Sequence, residues 1–366
     1  MLPFIRPAFP EPESWLPHLQ ASFRARRFSN FGPCHELLES RLSERYAVAE
    51  RQAVLVANGT AGLTAALLAL GVRGRVAVPS FTFPATAHAV AAAGCTPVLC
   101  DVDQQTWELT PDTLRQRIRT EGLAGIVHVR AFGFCRDLAP MEQLASDLGI
   151  PLVVDAAAAL GGQLDDSRPA GIQGSAEVFS LHATKVFAIG EGGLVVTTPD
   201  LARRIRQVVN FGMRDGTVDS AGINGKLSEL GAAVGLAMLE RLDGHVRHRQ
   251  ALAQRYADAL SREPRVSLAM SPGRTPWQTF PVRVLGAEPD RTVRAIVEGC
   301  LARGVELRRY YFPALHATPY FSPLVDAQPG ISAGLSDAMI CLPIYSDMSD
   351  NEQDEVLAAF RQSLPR

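Results

Sequence analysis

The 366-residue chain carries 36 Lys and Arg against 38 Asp and Glu, a formal net charge of -2, with 47% apolar and 20% charged residues. Charges that nearly cancel leave no electrostatic footprint for nucleic acid or an anionic membrane, and the apolar fraction is that of a globular protein with a sizeable core. Six scattered cysteines show neither a CxxC pair nor metal-ligand spacing, and no apolar run approaches the ~20 residues of a membrane span, so reduced thiols, no metal, no membrane and a cytoplasmic location are expected.

In chain order, Pro3, Arg6, Pro7 and Pro10 interrupt any signal-peptide core, and this arm leads to a helix expected from about His35 to Tyr46. Arm and helix are candidates to pack against a smaller domain. Short apolar runs then alternate with amphipathic segments, the pattern of a mostly parallel sheet covered by helices on both faces. Strands are expected at Arg75–Pro79, Thr96–Cys100, Gly125–Val129, Pro151–Asp155, Glu177–Leu181 and Gly193–Thr197. Helices are expected at Ala61–Leu70, Pro84–Ala93, Pro111–Arg119 and Leu138–Leu148. From Leu227 to about Leu260 apolar residues recur at helical spacing, which reads as one long helix bridging to a small C-terminal α+β domain. The expected division is 1–245 for the arm and large domain and 246–366 for the small one.

Four segments carry chemistry. Lys185 ends Phe179-Ser180-Leu181-His182-Ala183-Thr184-Lys185 and precedes Gly190-Glu191-Gly192-Gly193. Partial burial just past an apolar strand lowers a lysine pKa and frees its amine for imine formation, although a lone lysine is more often a solvated charge. Asp155 closes the run Pro151-Leu152-Val153-Val154, where open α/β sheets bind ligands, and an acid there can keep a pyridine nitrogen protonated; a helix cap is the plain alternative. Asn58-Gly59-Thr60-Ala61-Gly62 opens an apolar helix whose free N–H groups suit a phosphate, and Ser180 can add a hydroxyl. Phe83, within Ser80 to Thr86, can stack on a planar ring, a contact of about 0.5–1.5 kcal/mol beyond area burial. Each signal is weak alone, but together they stand in the order one cofactor, pyridoxal 5'-phosphate (PLP), would require.

These segments, with Ser29-Asn30-Phe31-Gly32-Pro33 near the start and Cys341-Leu342-Pro343-Ile344-Tyr345 near the end, resemble the DegT/DnrJ/EryC1/StrS sugar aminotransferases of PLP fold type I. The resemblance implies α/β architecture with a seven-stranded, mostly parallel sheet between helices and a smaller C-terminal α+β domain. It implies a Schiff base on Lys185, Asp155 at the pyridine nitrogen, Thr60, Ala61 and Ser180 at the phosphate, and Phe83 over the ring. Asn224, in Gly222-Ile223-Asn224-Gly225-Lys226-Leu227-Ser228-Glu229, matches an asparagine that reaches the neighbouring subunit's cofactor, implying a homodimer with shared sites.

Three positions depart from the family pattern. Ala158 stands where a glutamine or histidine near the cofactor's phenolic oxygen is usual, so that another group or water must fill that role or the imine pKa is tuned differently; Arg130 replaces a histidine and Lys226 an arginine, and these two bear on how the amino donor's carboxylate or the sugar is held. His182, Tyr310, Tyr311 and His316 are further substrate candidates, with packing roles as the alternative. The implied reaction moves an amino group, usually from L-glutamate, to a keto sugar nucleotide by a ping-pong route. The segments His182 to Phe187, Asp155 to Ala159 and Asn210-Phe211-Gly212 look like the subgroup for 4-amino-4,6-dideoxy sugar nucleotides. An aminocyclitol or other small keto acceptor, or a non-catalytic protein keeping the fold, are the competing readings; Lys185 argues against the dehydratases that carry histidine there.

Overall fold

The computed structural model describes residues 1–46, 49–115, 122–324 and 330–365. Seven strands form the main sheet: β1 (Gln52–Val56), β2 (Arg75–Pro79), β3 (Thr96–Cys100), β4 (Gly125–Val129), β5 (Leu152–Asp155), β6 (Ala176–Ser180) and β7 (Gly193–Thr197). Their spatial order is β1-β7-β6-β5-β4-β2-β3. β7 is antiparallel to both neighbours and every other pairing is parallel, so β1, β2, β4, β5 and β6 all end on the same edge. Four expected strands match to the residue, β5 starts one residue late, and β6 sits one residue earlier than expected. β1 is an addition to the expected set.

Side chains alternate between the two faces of a strand, and here both faces are buried. Ala53, Leu55, Leu152 and Val154 join one apolar cluster, whereas Val54, Val56 and Val153 join the other. The chain enters through α1 (Pro12–Ala25) and α2 (Pro33–Glu44); α3 (Gly59–Ala69) follows β1, α4 (Pro84–Ala92) follows β2, α5 (Ala139–Leu148) precedes β5, and α6 (Pro199–Val209) follows β7. α3, α4 and α6 cover the Val54 face, and α1, α2 and α5 contribute to the opposite cluster. Of the helix expected at Pro111–Arg119, residues 111–115 are helical and the remainder lies outside the described residues.

Proline in the first turn of α4, α5 and α6 fits a position whose N–H has no helical partner. α3 is capped instead by Asn58, whose Oδ1 accepts from Ala61 N at 2.8 Å. Gly62 lets α3 lie close on the sheet, because a Cβ there would come within 2.8 Å of Val178 Cγ1 and 3.2 Å of both Val195 and Val56.

A hairpin of β8 (Met213–Arg214) and β9 (Thr217–Val218) precedes α7 (Glu229–Leu260), 32 unbroken residues, or about 48 Å at 1.5 Å per residue. Its first turn grips the N-terminal helices. The Glu229 carboxylate, 1% exposed, accepts from Ser22 Oγ at 2.6 Å, Cys34 N at 2.8 Å and His35 N at 2.9 Å. Beyond α7 a three-stranded antiparallel sheet, β10 (Val266–Ser267), β11 (Phe280–Val284) and β12 (Met339–Leu342), packs with α8 (Pro289–Ala302), α9 (Gly330–Ala338) and α10 (Asp350–Ser363). The N-terminal arm docks on this part of the chain: Leu2 bridges to Val305, Phe4 N donates to Glu306 Oε2 at 3.0 Å, and Arg6 pairs with Asp347 and Glu352. α2 packs on α7, so the arm, not the helix, makes the expected contact.

Among the described residues no helix is long and apolar enough to cross a membrane, and no group of three or more His, Cys, Asp or Glu could hold a metal ion. All six cysteines are buried.

Gly62→Ala should lower stability by about 1–3 kcal/mol through overpacking against the sheet. Gly244→Ala, on an exposed turn of α7 with open space at its Cβ, should raise it by up to about 1 kcal/mol. Urea midpoints of the two variants measured side by side check both signs.

Candidate active site

The carboxyl edge of the main sheet opens onto a cavity of about 950 Å³. Its wall takes Asn58 to Ala61 from the turn after β1, Thr82 and Phe83 after β2, Val129 and Arg130 at the end of β4, Asp155 from β5 and Ser180 from β6. Ligands of open α/β sheets bind at this edge, and the shared direction of five strands explains why residues more than a hundred positions apart meet there.

Asp155 is the last residue of β5, and alternation puts it on the face of Val153, towards α4. Thr86 Oγ1, one turn into α4, donates to Asp155 Oδ2 at 2.7 Å, and Ala157 N donates to Oδ1 at 3.1 Å. The residue is 6% exposed, and among the described residues no side-chain cation lies within ion-pair distance. Burial raises its pKa; the Thr86 and Ala157 hydrogen bonds and the charge of Lys185 offset this only in part.

Lys185 sits in the connection between β6 and β7. Leu181 N donates to Gly192 O and Ala183 N to Gly190 O, both at 2.8 Å, which closes the connection into a narrow loop. The amine lines the cavity deep in the protein and donates to Gln278 Oε1 at 2.8 Å. Burial pushes its pKa down to about 8, opposed by the charge of Asp155. A substantial neutral fraction near physiological pH is the condition for nucleophilic attack on a carbonyl.

The start of α3 presents Gly59, Thr60 and Ala61 to the same space as Ser180. A Cβ on Gly59 would lie 3.3 Å from Ser180 Cβ, so the glycine brings the serine hydroxyl against the helix terminus. Ala61 N is already donated to the Asn58 cap. Phe83, 56% exposed, lines the cavity from the residue preceding α4.

His182, Tyr310 and Tyr311 also line the cavity. Tyr311 stacks on Phe132 with centroids 5.3 Å apart and planes at 21°, and burial raises its pKa. Arg130 borders the cavity but is not available to hold a carboxylate. Its side chain is fully buried, with Nε on Glu177 Oε2 at 3.1 Å, one terminal nitrogen on Arg136 O at 2.7 Å and the other on Gln173 Oε1 at 3.0 Å and Glu177 Oε1 at 3.3 Å. His316 is likewise corrected. It lies outside the cavity wall, 4% exposed, its Nδ1 2.6 Å from Ser80 Oγ, with burial lowering its pKa. Asn224 and Lys226 stand outside this chain's own cavity. Asn224 is exposed and bridges to Asn210, while the Lys226 ammonium lies 4.3 Å from the Phe211 ring centroid.

Ala158 lines the cavity, and its carbonyl presses on Gly133: with φ at +83° a Cβ there would come within 2.4 Å of Ala158 O. Sequence reasoning missed Thr86 and Gln278. Thr86 was within the quoted segment, and its spacing of three from Phe83 placed it one turn into a helix. Gln278, 93 positions from Lys185, had no local signal.

A carboxylate that lacks a cation, an amine poised to form an imine, and a helix terminus with a serine hydroxyl beside it together suit a pyridine that is aldehyde-bearing, basic at nitrogen and phosphorylated. This places the protein among PLP-dependent enzymes, and the fit is to residues already present. Residues 12–361 match the DegT/DnrJ/EryC1/StrS aminotransferase family, and the chain belongs to it; it is a PLP-dependent aminotransferase. It is 33% identical to Protein Rv3402c of Mycobacterium tuberculosis over 99% of this chain and 90% of that one. It is 29% identical to dTDP-4-amino-4,6-dideoxy-D-glucose transaminase of Shigella dysenteriae, over 98% and 97%. Among solved structures it resembles DesI, studied in the presence of its TDP-sugar product, with a TM-score of 0.90 and 32% identity over 98% and 91% of the chains. NtdA of Bacillus subtilis, solved with bound cofactor PMP, gives 0.85 and 26% over 96% and 81%.

The raised pKa of Asp155 has a sign that can be measured in the cofactor-free chain. With the folded pKa above the unfolded one, folding binds a proton, so this group reduces stability as pH rises from the ordinary carboxylate range through the folded pKa. Asp155→Asn removes the charge. The urea midpoint of the variant minus that of wild type should therefore increase as pH rises from the ordinary carboxylate range through the folded pKa; a flat difference would contradict the burial argument.

Proposed function

We propose that the protein transfers an amino group from L-glutamate to the keto group of a nucleotide-linked 4-keto-6-deoxy sugar in two half-reactions sharing one site. The single observation carrying this reading is the common cavity of the Lys185 amine and the Asp155 carboxylate, with the start of α3 on its wall. A cavity of about 950 Å³ is at the upper end of ordinary ligand sites, roughly 300–1,000 Å³, which suits a cofactor and a large second substrate together. Two of the relatives, the transaminase of Shigella dysenteriae and DesI, are named for nucleotide-linked sugar chemistry.

When bound, PLP supplies an electron-withdrawing ring that stabilises negative charge at the donor's α-carbon. Lys185 would hold the cofactor through its amine, and the same amine, once free, would take a proton from the donor's α-carbon and return it. Asp155 keeps a proton on the pyridine nitrogen, and Thr86 holds Asp155 in place. Thr60 and Ser180 would hold the phosphate, with the Ala61 N–H kept by the Asn58 cap, and Phe83 would lie against the ring. His182, Tyr310 and Tyr311 face the substrate. Glutamate would leave as its 2-oxo acid, and the bound cofactor would supply the carrier chemistry for the amino group that the keto sugar accepts. The protein works in the cytoplasm as a homodimer in which the partner's Asn224 completes each site, and it divides near position 245 into a large and a small domain.

Lys185→Ala should abolish turnover, and borohydride should fix the cofactor to the Lys185 peptide of the wild type. Asp155→Ala should fold yet lose at least about two orders of magnitude in turnover. The acceptor is read by mixing the pyridoxamine-loaded enzyme with a panel of keto sugar nucleotides and following recovery of the pyridoxal absorbance. Recovery with simple 2-oxo acids alone would defeat the sugar assignment and leave transamination standing.

A further inference from the structure

The Lys185 amine is the first member of a hydrogen-bonded series that runs from the cavity floor to its rim. Lys185 Nζ donates to Gln278 Oε1 at 2.8 Å. The other end of that amide, Gln278 Nε2, points at Thr184 Oγ1 at 3.5 Å. Thr184 Oγ1 lies 2.9 Å from His182 Nδ1, and Thr184 N also donates to that nitrogen at 3.3 Å. A ring nitrogen that accepts a backbone N–H carries no proton, so the hydroxyl donates to Nδ1 as well, and the imidazole proton sits on Nε2. Nε2 lies 3.6 Å from Glu191 Oε1, where both side chains are open to solvent.

The hydrogen bonds of this series therefore all point the same way, from the lysine to His182, whose remaining N–H faces Glu191 beyond hydrogen-bond distance. That polarity fixes the Gln278 amide with its oxygen on the lysine: reversed, an NH₂ group would face the amine, and Thr184 would meet an acceptor in place of a donor. All four side chains after Lys185 line the cavity wall, yet the reading above gives Gln278 and Thr184 no task.

We propose that Gln278 is the positioning residue for the Lys185 amine whenever that amine is detached from the cofactor, and that Thr184, His182 and Glu191 set the orientation of the Gln278 amide. The proposal rests on the assignment of Lys185 as the cofactor-bearing, proton-moving group. The lysine would let go of the cofactor in the first half-reaction and take it back only at the end of the second, so its amine would stand detached through the proton transfers of both. A detached lysine is free to swing among many rotamers on its four-carbon stem. An acceptor on one N–H removes that freedom and leaves the lone pair directed into the cavity. A neutral amide does this without locking the amine in its protonated form, which a carboxylate at the same place would do.

Full-length Gln278→Glu, Gln278→Leu and Thr184→Val provide the test. In the cofactor-free chain, reductive methylation of the Lys185 peptide, read by mass spectrometry against pH, should be half-maximal at about 8 in wild type. It should move up by about one unit or more in Gln278→Glu, which keeps shape and volume and adds a charge. Arg130, Asp155, His182, Glu191, Arg308, Tyr310 and Tyr311, the other charged or titratable groups that line this space, are the same in both chains, so the shift isolates position 278. In the pyridoxal-loaded enzyme, the single-turnover rate with the amino donor should fall at least about tenfold in Gln278→Leu, with the donor's saturation constant changed by less than about threefold. Thr184→Val, which keeps the lysine contact and removes the orienting hydroxyl, should fall between that variant and wild type. A methylation profile unmoved in Gln278→Glu, or a Gln278→Leu rate equal to that of wild type, overturns the proposal. Persistent turnover in Lys185→Ala, or borohydride fixing the cofactor to a different peptide, would instead overturn the assignment of Lys185, and both are read with Gln278 intact.

Discussion

Asp155 is a carboxylate taken out of water with too few partners, and much of the main sheet is arranged around tolerating it. Burying an ionised group without compensation is among the costliest acts in folding. Here compensation is partial: one hydroxyl from α4 and one backbone N–H. Thr86 can reach the carboxylate because proline starts α4 directly after the turn from β2, and β2 and β5 flank β4 in the same orientation. What is missing is a positive charge, which a protonated pyridine would supply. Lys185 supplies the complementary half: a buried amine held off its ordinary pKa, close enough to Asp155 to feel its charge. Among the described residues the two form no ion pair; such a pair would neutralise both and leave neither for a ligand.

Much of this was legible in the sequence because it is local. Short strands with β-branched residues on both faces state that a sheet is covered on two sides, and four strands agree to the residue. Lys185, Asp155 and the Asn58 to Gly62 turn each follow a strand, so the shared direction of those strands was enough to bring them together. β1 escaped notice because Gln52 to Val56 follows closely on α2 with no preceding turn signal. The roles of Arg130 and His316 were misjudged for a different reason. Sequence reveals that a side chain is charged or polar, but its direction depends on residues far along the chain: Glu177 and Gln173 for the arginine, Ser80 for the histidine. Gln278 is the same problem in reverse, an unremarked residue that tertiary structure carries to the most reactive atom in the cavity.

Arg130 still matters where it is. With Glu177 it forms a buried ion pair bridging the end of β4 to β6, and Gln173 and the Arg136 carbonyl occupy the remaining donors. A buried pair of this kind contributes little net stability over an apolar replacement, but removing one partner strands the other. Its effect is geometric. It pins the turn containing Phe132, held at a φ of +54°, and Gly133, and through them the Phe132 ring that stacks on Tyr311 in the cavity wall. A histidine in this place would be too short to span the strands, so the arginine changes the frame of the pocket without touching its contents.

The arm at the start of the chain has a consequence in time. Leu2, Phe4 and Arg6 find their partners at Val305, Glu306, Asp347 and Glu352, so that Phe4 and its acceptor are 302 positions apart. On a ribosome adding roughly 5–20 residues per second, the arm waits some tens of seconds with no surface to dock on. The segment made earlier is thus among the last to be seated, and it acts as a clasp that closes only once its distant partners have been made.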